Sequence, residues 1–264
     1  LLKERVFDGY KGTYGYTCLI TGCQEYKGAA LLSAKSCVYS GSGITTVMSD
    51  ESVINVLTQF CPEATAVLRP PVLQKDDFVK YDALLIGCGL GQSLDSYRYV
   101  IDLLEKTHQP LVIDGDALTI LSAHVDLLKN QKRDIILTPH LGEFQRLCPF
   151  QEDDDMLEIA QNFAKTYHVT LVLKGPYTMV TNGYESYRVM AGHKAMATGG
   201  MGDVLAGIIT SFLGQGYQAI QAALLGVFIH GYTGEQLAKK AYTVLPSRLI
   251  EHLPEVMDEM IKSN

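Results

Sequence analysis

Short apolar runs alternate with segments of helical period over most of the chain. Residues 16–21, 44–48, 64–68, 83–87, 111–114, 135–138 and 170–174 read as strands, rich in aliphatic and β-branched side chains and bounded by turn formers. Between them, residues 28–40 read as an Ala/Leu-rich helix stopped by Gly41, and Ser49 or Asp50 caps a helix that ends near Phe60. Residues 93–106 form an amphipathic helix, followed by helices at 116–122 and 155–167. Strands that are apolar throughout are buried on both faces, so the alternation predicts an α/β fold: a mostly parallel sheet with helices on both faces.

The alternation breaks once. Residues 177–181, then Asn182-Gly183, then residues 184–189 read as a β-hairpin with a tight turn, which puts antiparallel strands near one edge of the sheet. The remainder is helical, at 204–213, at 217–240 and in one or two helices from 247 to 261. No linker, repeat or low-complexity segment interrupts the 264 residues, and a single domain over 1–264 is expected.

Composition narrows the classes. Hydrophobic residues make up 47% of the chain, enough for a large core. The formal net charge of -7 and the absence of any basic run exclude nucleic acid and anionic membrane as main partners. Six cysteines, with no CxxC and no zinc spacing, fit small core residues in a reducing compartment. The charged start, Lys3-Glu4-Arg5, is unlike a signal peptide, and no apolar stretch approaches the roughly 18 residues of a membrane span. A cytoplasmic protein is expected.

Candidate chemistry gathers at strand ends, where parallel sheets bind ligands. Thr198-Gly199-Gly200-Met201-Gly202-Asp203 opens an apolar helix. A glycine-rich turn at a helix mouth leaves amides free for an anion. An aspartate there repels phosphate; it caps the helix, or takes a proton from a hydroxyl beside the phosphate. Gly87-Cys88-Gly89-Leu90-Gly91 resembles a dinucleotide fingerprint but has Gln92 at the third glycine position, so a plain turn and a ligand loop both stay open. Asp114-Gly115-Asp116 ends a strand; the carboxylates suit magnesium through water, or Asp116 caps the next helix. His140 follows a strand, and Glu143 falls in the first turn of the helix after it. Lys174-Gly175 ends another strand and suits a polyphosphate, or Lys174 is an ordinary surface lysine.

The Thr198–Asp203 stretch resembles the anion-hole and aspartate motif of the ribokinase-like fold. Within that superfamily the chain resembles the ADP/ATP-dependent NAD(P)H-hydrate dehydratases. Further matching stretches are Lys11-Gly12-Thr13-Tyr14-Gly15, Tyr26-Lys27-Gly28-Ala29-Ala30-Leu31, Pro62-Glu63, Ile86 to Gly91, Asp114 to Leu118, Thr138 to Phe144 and Lys174-Gly175, in family order. The resemblance implies repair of hydrated NADH or NADPH. The C6 hydroxyl of the (6S)-hydrate is phosphorylated by ADP or ATP, and phosphate then leaves.

The resemblance implies roles as well. Asp203 is the base, and the amides of Gly200, Met201 and Gly202 form the anion hole. Ala29 or Ala30, Gly89, Gly91 and His140 contact the hydrated cofactor. Lys174, Gly175, Pro176, Tyr177 and Thr178, with Gly202, bind the adenine nucleotide. Asp114, Asp116 and Glu143 arrange Mg2+ through water. A homo-oligomer, as a tetramer, and a separate epimerase chain are further expectations. The chain departs from the pattern in four places: Met201 for threonine, Cys23 for serine, His193-Lys194 for Asn-Pro, and Gly9-Tyr10 for Ser-His. The rival reading is a small-molecule kinase of the same fold, acting on a hydroxyethylthiazole- or pyridoxal-type alcohol.

Overall fold

The computed structural model describes residues 2–263. Nine strands form one sheet in the order β3-β2-β1-β4-β5-β6-β7-β8-β9. They are β1 (Tyr16–Ile20), β2 (Ile44–Ser49), β3 (Thr65–Leu68), β4 (Ala83–Ile86), β5 (Leu111–Ile113), β6 (Ile135–Leu137), β7 (Thr170–Leu173), β8 (Thr178–Thr181) and β9 (Ser186–Val189). Pairing is parallel from β3 through β7 and antiparallel for β8 and β9. The helices are α1 (Lys27–Tyr39), α2 (Glu51–Phe60), α3 (Leu94–Lys106), α4 (Gly115–Leu121), α5 (Leu141–Leu147), α6 (Met156–Tyr167), α7 (Met201–Gly214), α8 (Ala219–Ala238) and α9 (Pro246–Lys262). This is the expected α/β architecture, with its antiparallel pair at one edge.

Strand alternation divides the core in two. Leu19, Val47, Leu85, Val112 and Ile136 face one layer with α1, α7, α8 and α9. Ile20, Met48, Ile86, Ile113 and Leu137 face the other, with α3 to α6. α7 lies at the centre of its layer, apolar on nearly every side; only Gly202 and Asp203 in its first turn are not fully buried. Gly207 lets α1 approach: a methyl group there would strike the Ser33 carbonyl oxygen and the Ser36 hydroxyl.

Two expectations change, and one left open is decided. β3 is not buried; all four of its residues are exposed, because it is the end strand of the sheet with only β2 beside it. The hairpin turn is longer than two residues. Thr181 pairs with Ser186, and Asn182 Oδ1 accepts from the Tyr184 and Glu185 amides at 2.9 and 2.8 Å, closing a four-residue loop (182–185). The C-terminal segment is one helix, with Pro246 in its first turn, where a missing N–H costs nothing.

The close α1–α7 contact gives a direct test. Gly207→Ala is expected to destabilise the fold by about 1–3 kcal/mol, read from the midpoint of urea unfolding.

Candidate active site

The sheet order sets the position of the site. From β1 the chain moves to β2 and β3 on one side, then returns to β4 on the other. The loops leaving β1 and β4 therefore diverge, and a crevice opens at their carboxyl ends. The Gly22 amide donates to the Cys88 carbonyl at 2.9 Å, tying the two loops at the base of the crevice.

The first turn of α7 meets this edge. Gly200 is its N-cap at φ +95°, a left-handed conformation that a β-carbon would strain. The Val204 amide closes the first helical bond, on the Gly200 carbonyl at 3.1 Å. Amides ahead of it form the positive end of the helix. A β-carbon built on Gly202 would lie 3.4 Å from Lys174 Nζ and 3.8 Å from Asp114 Oδ2. The bare glycine thus keeps open a cradle between helix mouth, ammonium and carboxylate.

Asp203 sits beside that cradle. Its carboxylate, Cys88 Sγ and a carboxylate oxygen of Asp114 lie within 4.8 Å of one another. Burial, and then the Asp114 charge, push the Asp203 carboxyl up to about 6; the Cys88 thiol and Lys174 pull it back. Burial and the same two carboxylates hold Cys88 well above its ordinary value, so it stays a neutral thiol.

Lys174 is not an ordinary surface lysine. It reaches from the end of β7 to Asp114 Oδ1 at 2.8 Å, with Glu143 Oε2 at 3.9 Å. Thr138 donates to the same Asp114 oxygen at 2.7 Å. Burial works against the lysine's charge, but the two carboxylates outweigh it and its pKa lies above the usual range. Lys174 is thus the cation that balances Asp114 at the edge of the sheet.

The remaining expected residues divide. Asp116 is bonded to the Gly91 amide at 2.8 Å and to the Gln92 side chain at 3.2 Å, so it braces the loop after β4. It does not cap α4; Asp114 holds the N-cap position, and Asp116 falls in the first turn. His140 and Glu143 cap α5 reciprocally: His140 Nδ1 accepts from the Gly142 and Glu143 amides, and Glu143 Oε2 accepts from the His140 amide at 2.8 Å. The His140 ring stays largely exposed, with Nε2 3.5 Å from Glu143 Oε1. Gly89 packs on Ala29, whose side chain is half-buried, whereas Ala30 is wholly buried under Gly22.

A cavity of about 500 Å³ opens beside the helix mouth, lined by Lys174, Gly175, Pro176, Thr178, Met201 and Gly202 together with Ala191, Leu205, Val227 and His230. His193 and Lys194 also line it. Tyr177 does not; its ring is exposed and faces Arg188 on the hairpin. Two site residues escaped the sequence reading. Cys88 carried a signal, since it directly follows a strand end within a glycine loop; His230, a lone histidine in an apolar helix, carried none.

Comparison with known proteins agrees with this geometry. Residues 17–255 match the family model described as NAD(P)H-hydrate dehydratase. The ADP-dependent (S)-NAD(P)H-hydrate dehydratase of Staphylococcus aureus is 37% identical over 262 residues, covering 98% of this chain and 94% of that one. A ribokinase-like superfamily protein of Enterococcus faecalis superposes with a TM-score of 0.87 at 32% identity, over 98% of this chain and 92% of that chain. The Bacillus subtilis ADP/ATP-dependent NAD(P)H-hydrate dehydratase, co-crystallised with ATP/Mg2+, gives 0.85 at 29% identity, over 97% and 93%. With a ribokinase-like fold and a match spanning nearly its whole length, the chain belongs to the NAD(P)H-hydrate dehydratase family.

Proposed function

We propose that the chain restores NADH or NADPH from the (6S)-hydrate by phosphorylating the C6 hydroxyl with ADP or ATP and expelling phosphate. The observation that carries this reading is Asp203 at the rim of the α7 mouth, with Lys174 and the cavity beside it. The nucleotide lies in the cavity, its terminal phosphoryl at the amides of Gly200, Met201 and Gly202 and near Lys174. The hydrated ring lies on the opposite side, between Asp203, Ala29, the Gly89–Gly91 turn and His140. Asp203 takes the C6 hydroxyl proton as the oxygen attacks phosphorus. The bond from phosphorus to the nucleotide's bridging oxygen breaks, and the amides and Lys174 hold the charge that develops. The C6–O bond then breaks, driven by the ring nitrogen lone pair, phosphate takes the electron pair, and the resulting iminium ring releases a C5 proton to form the C5=C6 double bond of the reduced ring.

Free lone pairs on Asp114 and Glu143 fit water-mediated contact with phosphate-bound Mg2+, which would supply charge neutralisation there. Asp116, already bonded twice, does not serve in that set. The thiol of Cys88 makes a direct magnesium cage a poor match. Assembly as a homo-oligomer belongs to the same reading, supported by exposed Met190 and Phe228 in an apolar groove beside β9. Among the described residues no helix is long and apolar enough to cross a membrane. Because hydration yields two C6 epimers, work alongside a separate NAD(P)H-hydrate epimerase belongs to the same reading.

Two measurements test the reading. Hydrated NADH mixed with ADP should regain the absorbance of the reduced ring; a stable phosphorylated product would point to the small-molecule kinase instead. Asp203→Asn should lower turnover roughly 10²- to 10⁴-fold while ADP still binds. Stability gives an independent readout. Burying the Asp203 charge costs nothing below about pH 4, where both folded and unfolded chains are protonated, and the full amount above about pH 6. Asp203→Asn is therefore expected to stabilise the protein by about 1–3 kcal/mol at pH 8 and by nothing near pH 4, measured by urea unfolding at both.

A further inference from the structure

Among the described residues no acidic side chain lines the cavity beside the α7 mouth; its ionisable lining is Lys174, His193, Lys194 and His230. Lys174 is balanced by carboxylates, with Asp114 Oδ1 at 2.8 Å and Glu143 Oε2 at 3.9 Å, so it adds little net positive potential to the space. Burial, with Lys174 nearby, drives the His230 ring down to about 4, which leaves it uncharged at neutral pH. Lys194 differs from both. Its side chain is exposed, and among the described residues no carboxylate pairs with it. It belongs to the His193-Lys194 pair in which the chain departs from the family pattern. The short turn that carries it, residues 194–196, is held in place. His193 Nδ1 accepts from the Ala195 amide at 3.1 Å, and the Ala195 carbonyl accepts from the Val244 amide at 2.8 Å. Met196 lies against Gly234 of α8, where a β-carbon would strike its sulfur.

We propose that Lys194 supplies the uncompensated positive charge of this cavity and raises its affinity for a nucleotide in proportion to the nucleotide's phosphate charge. The inference rests on the assignment of the cavity to the nucleotide made above. It needs no particular placement of phosphate and base within the cavity. A space of about 500 Å³ is roughly 10 Å across, comparable with the Debye length at physiological salt, so a phosphate anywhere inside feels the ammonium. Each further phosphoryl group adds negative charge before the same cation, and the attraction grows with that charge. Lys174 cannot grade nucleotides in this way, because the adjacent carboxylates cancel its charge at a distance. An exposed cation is screened by salt, so its contribution is modest and falls as ionic strength rises.

The test is calorimetric titration of AMP, ADP and ATP, in magnesium-free buffer at low and at high salt, into the wild-type chain, Lys194→Gln and Lys194→Arg. At low salt Lys194→Gln should weaken ADP roughly three- to tenfold, ATP more and AMP less, and each loss should shrink at high salt. Lys194→Arg, which keeps the charge, should bind all three as the wild type does. Far-UV circular dichroism checks the fold, and Lys194→Ala takes the place of the glutamine variant if that one does not fold. A loss that is the same for all three nucleotides, or that salt does not reduce, overturns the inference and makes Lys194 a local contact. Affinities unchanged in Lys194→Gln overturn it too, while leaving the nucleotide site intact. Failure of the wild type to bind any of the three overturns the assignment of the cavity itself, and the inference with it.

Discussion

Two carboxylates and a thiol crowd one end of the sheet, with a single ammonium set among them. Asp114 and Asp203 stand too close to both carry charge without support, and Lys174 supplies it through Asp114. Thr138 holds the remaining capacity of the same oxygen. The paired Asp114–Lys174 unit leaves Asp203 with the unpaired share of the repulsion, and burial adds to it. That imbalance raises the Asp203 carboxyl toward neutrality. On the proposed reading the raised one takes a proton from an alcohol, which a carboxylate of ordinary pKa does poorly.

The fold exists to hold this arrangement at a helix mouth. β5 and β7 are separated by one strand, so their ends lie within reach of one lysine side chain. α7 is buried along its length, which fixes its N-terminus against the sheet edge more firmly than a surface helix would be fixed. The reversal of strand order between β1 and β4 opens a crevice at the sheet edge, and the cavity opens beside the mouth of α7. An acceptor and a donor of phosphoryl can then approach the same amides from opposite directions, the geometry an in-line transfer needs.

Much of this was legible in the residues. Seven apolar runs gave seven parallel strands, and the glycine-rich stretch before an apolar helix gave the mouth of α7. Those signals are local: a period, a turn, a cap. What escaped notice depends on contacts between distant segments. Nothing in the spacing of Asp114 and Lys174, 60 residues apart, announces that they pair. Asp116 reads as a cap or a ligand until Gly91 is brought against it. β3 looks like its buried neighbours because its composition does not reveal that it ends the sheet. His230 looks like core because its helix is core, and only the folded chain brings it into the cavity beside Met201 and Lys174.

The most direct measurement follows the oxygen. Hydrated NADH carrying ¹⁸O in its C6 hydroxyl is incubated with ADP and the enzyme, and the released phosphate is analysed by mass spectrometry. If that hydroxyl attacks phosphorus, its oxygen departs with the phosphate, and every molecule of inorganic phosphate carries the label. Label recovered in water, with unlabelled phosphate, would mean that nucleotide cleavage and dehydration are separate events, and would contradict the account.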